Sequence, residues 1–85
     1  MVNAEMMTPG QSRAARGLIG WSQTELGEAS GLSLPTIKRF ETERGANVSQ
    51  DAVTKIRSAL ESAGVIFIDQ NGEGPGVRLR KARVE

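Results

Sequence analysis

Residues 21–45 read WSQTELGEASGLSLPTIKRFETERG, and the punctuation of this stretch decides the fold. Ser22, followed three residues later by Glu25, forms a capping box in which hydroxyl and carboxylate each satisfy an amide donor that opens a helix without a partner. The helix started there turns Leu26 and Ala29 inward and stops at Gly31, where a tight turn needs the left-handed backbone that glycine adopts freely. Ser33 caps a further helix, and Pro35 lies in its first turn, where a missing N–H breaks no helical bond. Ile37 and Phe40 are its buried stripe. Two short helices joined through a glycine turn therefore stand at the centre of the expected fold.

Towards the N-terminus, Thr8 and Pro9 open another helix, and Gln11 completes a T-x-x-Q capping box. Ala14, Ala15, Leu18 and Ile19 follow at helical spacing until Gly20, and residues 1–7 read as a flexible lead-in. Beyond the quoted stretch, Gly45 and Asn47 break the helical pattern, and Ser49 with Gln50 and Asp51 starts a fourth helix. Its apolar face is Ala52, Val53, Ile56, Ala59, Leu60 and Ala63, closed by Gly64. The period then changes. Val65-Ile66-Phe67-Ile68 is β-branched and aromatic, residues 69–76 are dense in turn formers, and Val77-Arg78-Leu79-Arg80 alternates apolar with basic. The expected fold class is mainly α, four helices over residues 8–64 followed by a C-terminal β-hairpin in residues 65–85.

Composition narrows the function. The 85 residues suit one compact domain, with 38% apolar and 25% charged residues, and only Trp21, Phe40 and Phe67 supply large rings. There is no cysteine and no histidine, so thiolate metal sites, zinc fingers and serine–histidine triads are excluded. Glu25 and Glu28 lie one turn apart without further ligating residues, and read as cap and surface. No catalytic residue, metal site or cofactor is expected, and a fold of this size leaves little room for a ligand pocket. No apolar run approaches the ~20 residues that span a bilayer. A cytoplasmic, nucleoid-associated protein that makes no membrane contact is the expectation. The net charge of +1 leaves the distribution of charge to identify partners.

The quoted stretch resembles the Cro and phage-repressor type of helix-turn-helix, the XRE-like family, from Arg13 to about Gly45. The likeness is carried by Gly27 where two helices cross, Gly31 in the turn, Leu26, Leu32, Ile37 and Phe40 in the core, and Ser22-Gln23 opening the motif. It implies a transcriptional regulator that lays the helix after Ser33 in the major groove of double-stranded DNA. By the same resemblance Ser33, Leu34, Pro35, Lys38 and Arg39 read base edges. Gln23, Thr36, Thr42 and Arg44 bind phosphate, and Arg16 pairs with Glu41 inside the protein. Arg39 is the first choice for specificity, because a guanidinium donating to guanine O6 and N7 discriminates by roughly 1 to 3 kcal/mol. Leu34 and Pro35 are less polar than many relatives are here, which suits contact with a thymine methyl.

Plainer readings stand beside these. Lys38 and Arg39 could be solvated surface, Leu34 could belong to the core, Gln23 could only open a helix, and Arg16 with Glu41 could act on folding alone. The tail residues Arg78, Arg80, Lys81 and Arg83 either touch DNA or, the weightier reading, guard a strand edge with charge. A lone hairpin is marginal in water, so it either packs on the helices or, the favoured reading, extends into a sheet shared with a second copy, with Ile66, Phe67, Ile68, Val77 and Leu79 and the fourth helix at the interface of a homodimer. Two such helices related by symmetry would read an inverted repeat. The alternative is an antitoxin or antiactivator, with a second regulatory protein docked on the hairpin.

Overall fold

A computed structural model describes residues 7–42, 48–70 and 72–80, and the chain folds there as four helices followed by a two-stranded hairpin. Helices α1 (Pro9–Ile19), α2 (Gln23–Ser30), α3 (Leu34–Thr42) and α4 (Gln50–Ser62) precede strands β1 (Val65–Ile68) and β2 (Gly76–Leu79). Local chemistry sets the helix ends. Both capping boxes form: the Gln11 amide donates to Thr8 Oγ1 at 3.0 Å and the Glu25 amide to Ser22 Oγ at 3.0 Å, and each residue's side chain returns the bond to the cap amide. Ser33 Oγ accepts from the Thr36 amide at 3.2 Å, and Ser49 Oγ from the Ala52 amide at 3.0 Å.

The turn between α2 and α3 depends on two glycines with different duties. Gly31 takes φ +78°, which a side chain would strain. Gly27 is needed for closeness, since a Cβ there would lie 2.9 Å from the Leu32 carbonyl oxygen. With the helices this close, Leu26, Ile37 and Phe40 join Ala15, Val53, Ile56 and Leu60 in one core.

The hairpin closes that core from outside. β1 and β2 pair antiparallel, with Val65 opposite Leu79 and Phe67 opposite Val77. Val65 and Phe67 are buried at 1% and 9% exposure. The hairpin is thus part of the same packed unit as residues 8–64. Gln11 ties it down: beyond its capping role, Nε2 donates to the carbonyls of Gly76 at 2.9 Å and Ile68 at 3.3 Å. Arg57 of α4 lies over the Phe67 ring, 4.8 Å from its centroid, and bonds Glu61 at 3.0 Å.

Several sequence expectations shift under this packing. Met7, grouped with the lead-in, is buried in the core. On α1 only Ala15 of the apolar set is fully buried. Leu18 is 42% exposed and Ala14 faces out, because the polar pair Gln11 and Ser12 takes the inner positions. Ala29 also lies outward. It borders an open groove of about 450 Å³ between α2 and α4, with Trp21, Ser58 and Ala59 along its wall, where the sequence left little room for a pocket. Phe67, expected at a subunit contact, fills the protomer's own core, and Val77 packs against it, because alternate residues of a strand face opposite sides.

Gln11→Glu separates the two duties of that side chain. The carboxylate keeps the capping box but presents no donor to the hairpin carbonyls, so urea unfolding should show a loss of about 1 to 3 kcal/mol for the two forfeited bonds. Helix content by circular dichroism should not change.

Candidate nucleic-acid interface

Helix α3 is held from behind and bare in front. Ile37, Phe40 and Glu41 are buried, while Pro35, Lys38, Arg39 and Thr42 are exposed along the opposite side, with Leu34 and Thr36 half-buried at the margin. Positions 35, 38, 39 and 42 recur at helical spacing, so the four make one surface strip. Ser33 is exposed at the head of the helix, its hydroxyl 2.8 Å from that of Thr36. Among the described residues, neither Lys38 nor Arg39 meets a carboxylate.

The rear attachment is polar. Glu41 is 3% exposed, yet it carries a carboxylate at the end of α3. Arg16 donates from Nη2 to Oε1 at 2.7 Å and from Nε to Oε2 at 3.0 Å, the two-pronged geometry that suits a planar guanidinium. Ser12 Oγ donates to Oε2 at 2.5 Å, and Gln23 Nε2 to Oε1 at 3.1 Å. Arg13 Nη1 donates to the Glu41 backbone carbonyl, one of those left open at a helix C-terminus. Arg16 also reaches the Trp21 carbonyl through Nη1 at 3.2 Å. Burial by itself pushes the Glu41 carboxyl up. The hydrogen bonds from Arg16, Ser12 and Gln23, together with the charge of Arg16, outweigh it and hold the group below the ordinary carboxylate range.

Most of the residues singled out in the sequence meet here. Arg16 and Glu41 pair inside the protein, and Ser33, Pro35, Lys38, Arg39 and Thr42 stand outside. Leu34 is neither core nor fully free. Gln23, expected on phosphate, spends its amide on Glu41 in this structure. Arg44, Lys81 and Arg83 lie outside the described residues. Ser12 and Arg13 escaped the sequence reading. Their signal was the run Ser12, Arg13, Arg16, three donors placed within one arc of α1 by helical spacing.

A glycine turn between two short helices, the second with a basic outer strip and a buried anchor, defines a DNA-binding regulatory domain. The sequence matches the helix-turn-helix family over residues 13–63, and the chain belongs to that family, in its XRE/Cro-like branch. That family is one of DNA-binding transcription regulators and not of enzymes. No curated protein matches the chain. Among the described residues no helix is long and apolar enough to cross a membrane, and no cluster of three acidic side chains could hold a metal ion.

The anchor makes two predictions. Removing Arg16 alone, as Arg16→Met, leaves a buried carboxylate without its cation and should cost about 3 to 5 kcal/mol in thermal or urea unfolding. The double variant Arg16→Met, Glu41→Leu should recover much of that loss, because no buried charge remains. Because Glu41 is held below its ordinary 4.5, its contribution is complete above that pH and is lost as pH falls through the lowered value. Urea midpoints measured along a descending pH series should therefore fall in acid, and Glu41→Gln should flatten that fall.

Proposed function

We propose that the protein is a sequence-specific regulator that binds an inverted-repeat operator as a homodimer, with α3 of each copy in the major groove of double-stranded DNA. The observation that carries this reading is the exposure of Lys38 and Arg39 on a helix whose other side is pinned by Ile37, Phe40 and Glu41. Arg39 reads guanine through two parallel hydrogen bonds, Lys38 adds a base or phosphate contact, and Leu34 with Pro35 offers apolar contact to a thymine methyl. Ser33 sits beside them at the helix head. Thr42 at the C-terminal end of the strip, Thr36 at its margin and Arg44 bind phosphate and set the register, and Gln23 joins them through the amide hydrogen not given to Glu41.

Residues 8–64 supply the DNA contacts in this reading, and residues 65–85 the assembly. On the hairpin, Ile66 and Ile68 point away from the core and are half-exposed, so the two-fold contact centres on them, whereas Leu79, paired with Val65, belongs to the other face. Dimerisation has a physical motive: one short helix reads few base pairs, and symmetric half-sites one turn of duplex apart combine their binding energies.

A footprint on a randomised duplex pool tests the proposal, run with wild type and Arg39→Ala at two salt concentrations. Wild type should protect a two-fold symmetric sequence. Arg39→Ala should lose discrimination worth about 1 to 3 kcal/mol while keeping a salt-sensitive, sequence-independent component. Wild-type binding that shows no sequence preference would overturn the reading.

A further inference from the structure

Among the described residues, one of the hairpin's two edges is buried and the other is open. Arg80 donates its amide to the Gly64 carbonyl at 2.7 Å, which fixes the phase of the ladder. Counting inward by twos, Ile66–Arg78 and Ile68–Gly76 exchange bonds across the sheet, whereas Val65–Leu79 and Phe67–Val77 direct their backbone groups away from the partner strand. On β1 those outward groups belong to Val65 and Phe67, which are buried. On β2 they belong to Val77 and Leu79. Leu79 is 45% exposed and both flanking arginines are exposed. Among the described residues, nothing outside the ladder bonds the N–H or C=O of Val77 or Leu79.

This edge is ill suited to a second copy of itself. Pairing Val77 with Leu79 of another chain sets Arg78 directly opposite Arg78. Centring on Leu79 sets Arg78 opposite Arg80, and like charges opposed across strands are destabilising. Centring on Val77 opposes Leu79 to Pro75, which has no N–H to give. Every two-fold register that uses these groups is penalised. An incoming strand of opposite charge meets no such penalty: Arg78 and Arg80 stand on one face of the strand, two residues apart, and among the described residues neither is paired with a carboxylate.

We propose that the free edge of β2, from Val77 to Leu79, is a docking edge for an extended segment of another protein that carries acidic residues at alternate positions. The segment adds a third strand, its backbone bonding Val77 and Leu79, its carboxylates meeting Arg78 and Arg80, and its intervening apolar side chains covering Leu79. This surface lies on β2, whereas the base-reading strip lies on α3, so its test is independent of DNA binding.

The probe is a short blocked peptide alternating glutamate and valine, added to the full chain without DNA, with amide hydrogen exchange read residue by residue. Exchange at Val77 and Leu79 should slow by roughly tenfold at saturation, with little change on α3. The matching lysine–valine peptide should give no protection, and Arg78→Glu with Arg80→Glu should reverse the preference. Both arginines are exposed, so an unchanged circular dichroism spectrum is the check that these variants fold. Three results would each overturn the proposal: equal protection by both peptides, protection that rises with protein concentration alone, and protection by duplex DNA but not by peptide.

Discussion

The carboxylate of Glu41 is where three helices are made to agree. Arg16, Ser12 and Arg13 reach that residue from α1, Gln23 from α2, and the residue itself belongs to α3. A buried charge is tolerable only when its hydrogen bonds are made, and these donors exist only if the helices hold one mutual arrangement. The penalty for any other arrangement is what gives the network its orienting power. Burial of Ile37 and Phe40 selects the side of α3 that faces in, but apolar contact is not directional and does not by itself set the finer angle of the helix.

With its C-terminal end set there, α3 is held at its other end by closeness. Gly27 lets the α2 backbone approach Leu32 and Ile37, and the left-handed Gly31 reverses the chain within a single turn. A helix held at both ends has a defined front. Lys38 and Arg39 are thereby outside, on a backbone whose position is set before any partner arrives. Base reading needs that fixed position, because hydrogen bonds to base edges discriminate only where donor positions are set in advance.

The hairpin extends the same logic to the opposite side. Gln11 is chosen for two tasks at once, since an amide can accept from the Thr8 amide and still donate to two carbonyls, as glutamate cannot. Both strands rest on the helices, and β2, though Val77 packs on the core, is the one that carries the exposed Arg78 and Leu79. Arg78 and Arg80 punctuate its exposed side. The α3 strip and the β2 edge are two surfaces with different chemistry on one small core.

Helix ends, the glycine turn, the four-helix order and the hairpin were all legible in the residues, because caps, positive-φ positions and hydrophobic period act over a few neighbours in the chain. Ser22 with Glu25, Thr8 with Gln11, and Gly31 mean the same thing in almost any context. Which side of a helix is buried was less legible. Ala14, Leu18 and Ala29 carry apolar side chains yet face out, while Ser12 and Gln11 lie inside, because partners distant in sequence, Glu41 and the hairpin carbonyls, supply the bonds that make their burial tolerable. Phe67 could not be assigned to core or interface from a four-residue run, since only the register of the strand on the helices decides which alternate residues face in. By itself the sequence determined the elements and the family. The tertiary structure alone decided how polar groups far apart in the chain satisfy one another, because such satisfaction depends on distances that no local pattern encodes.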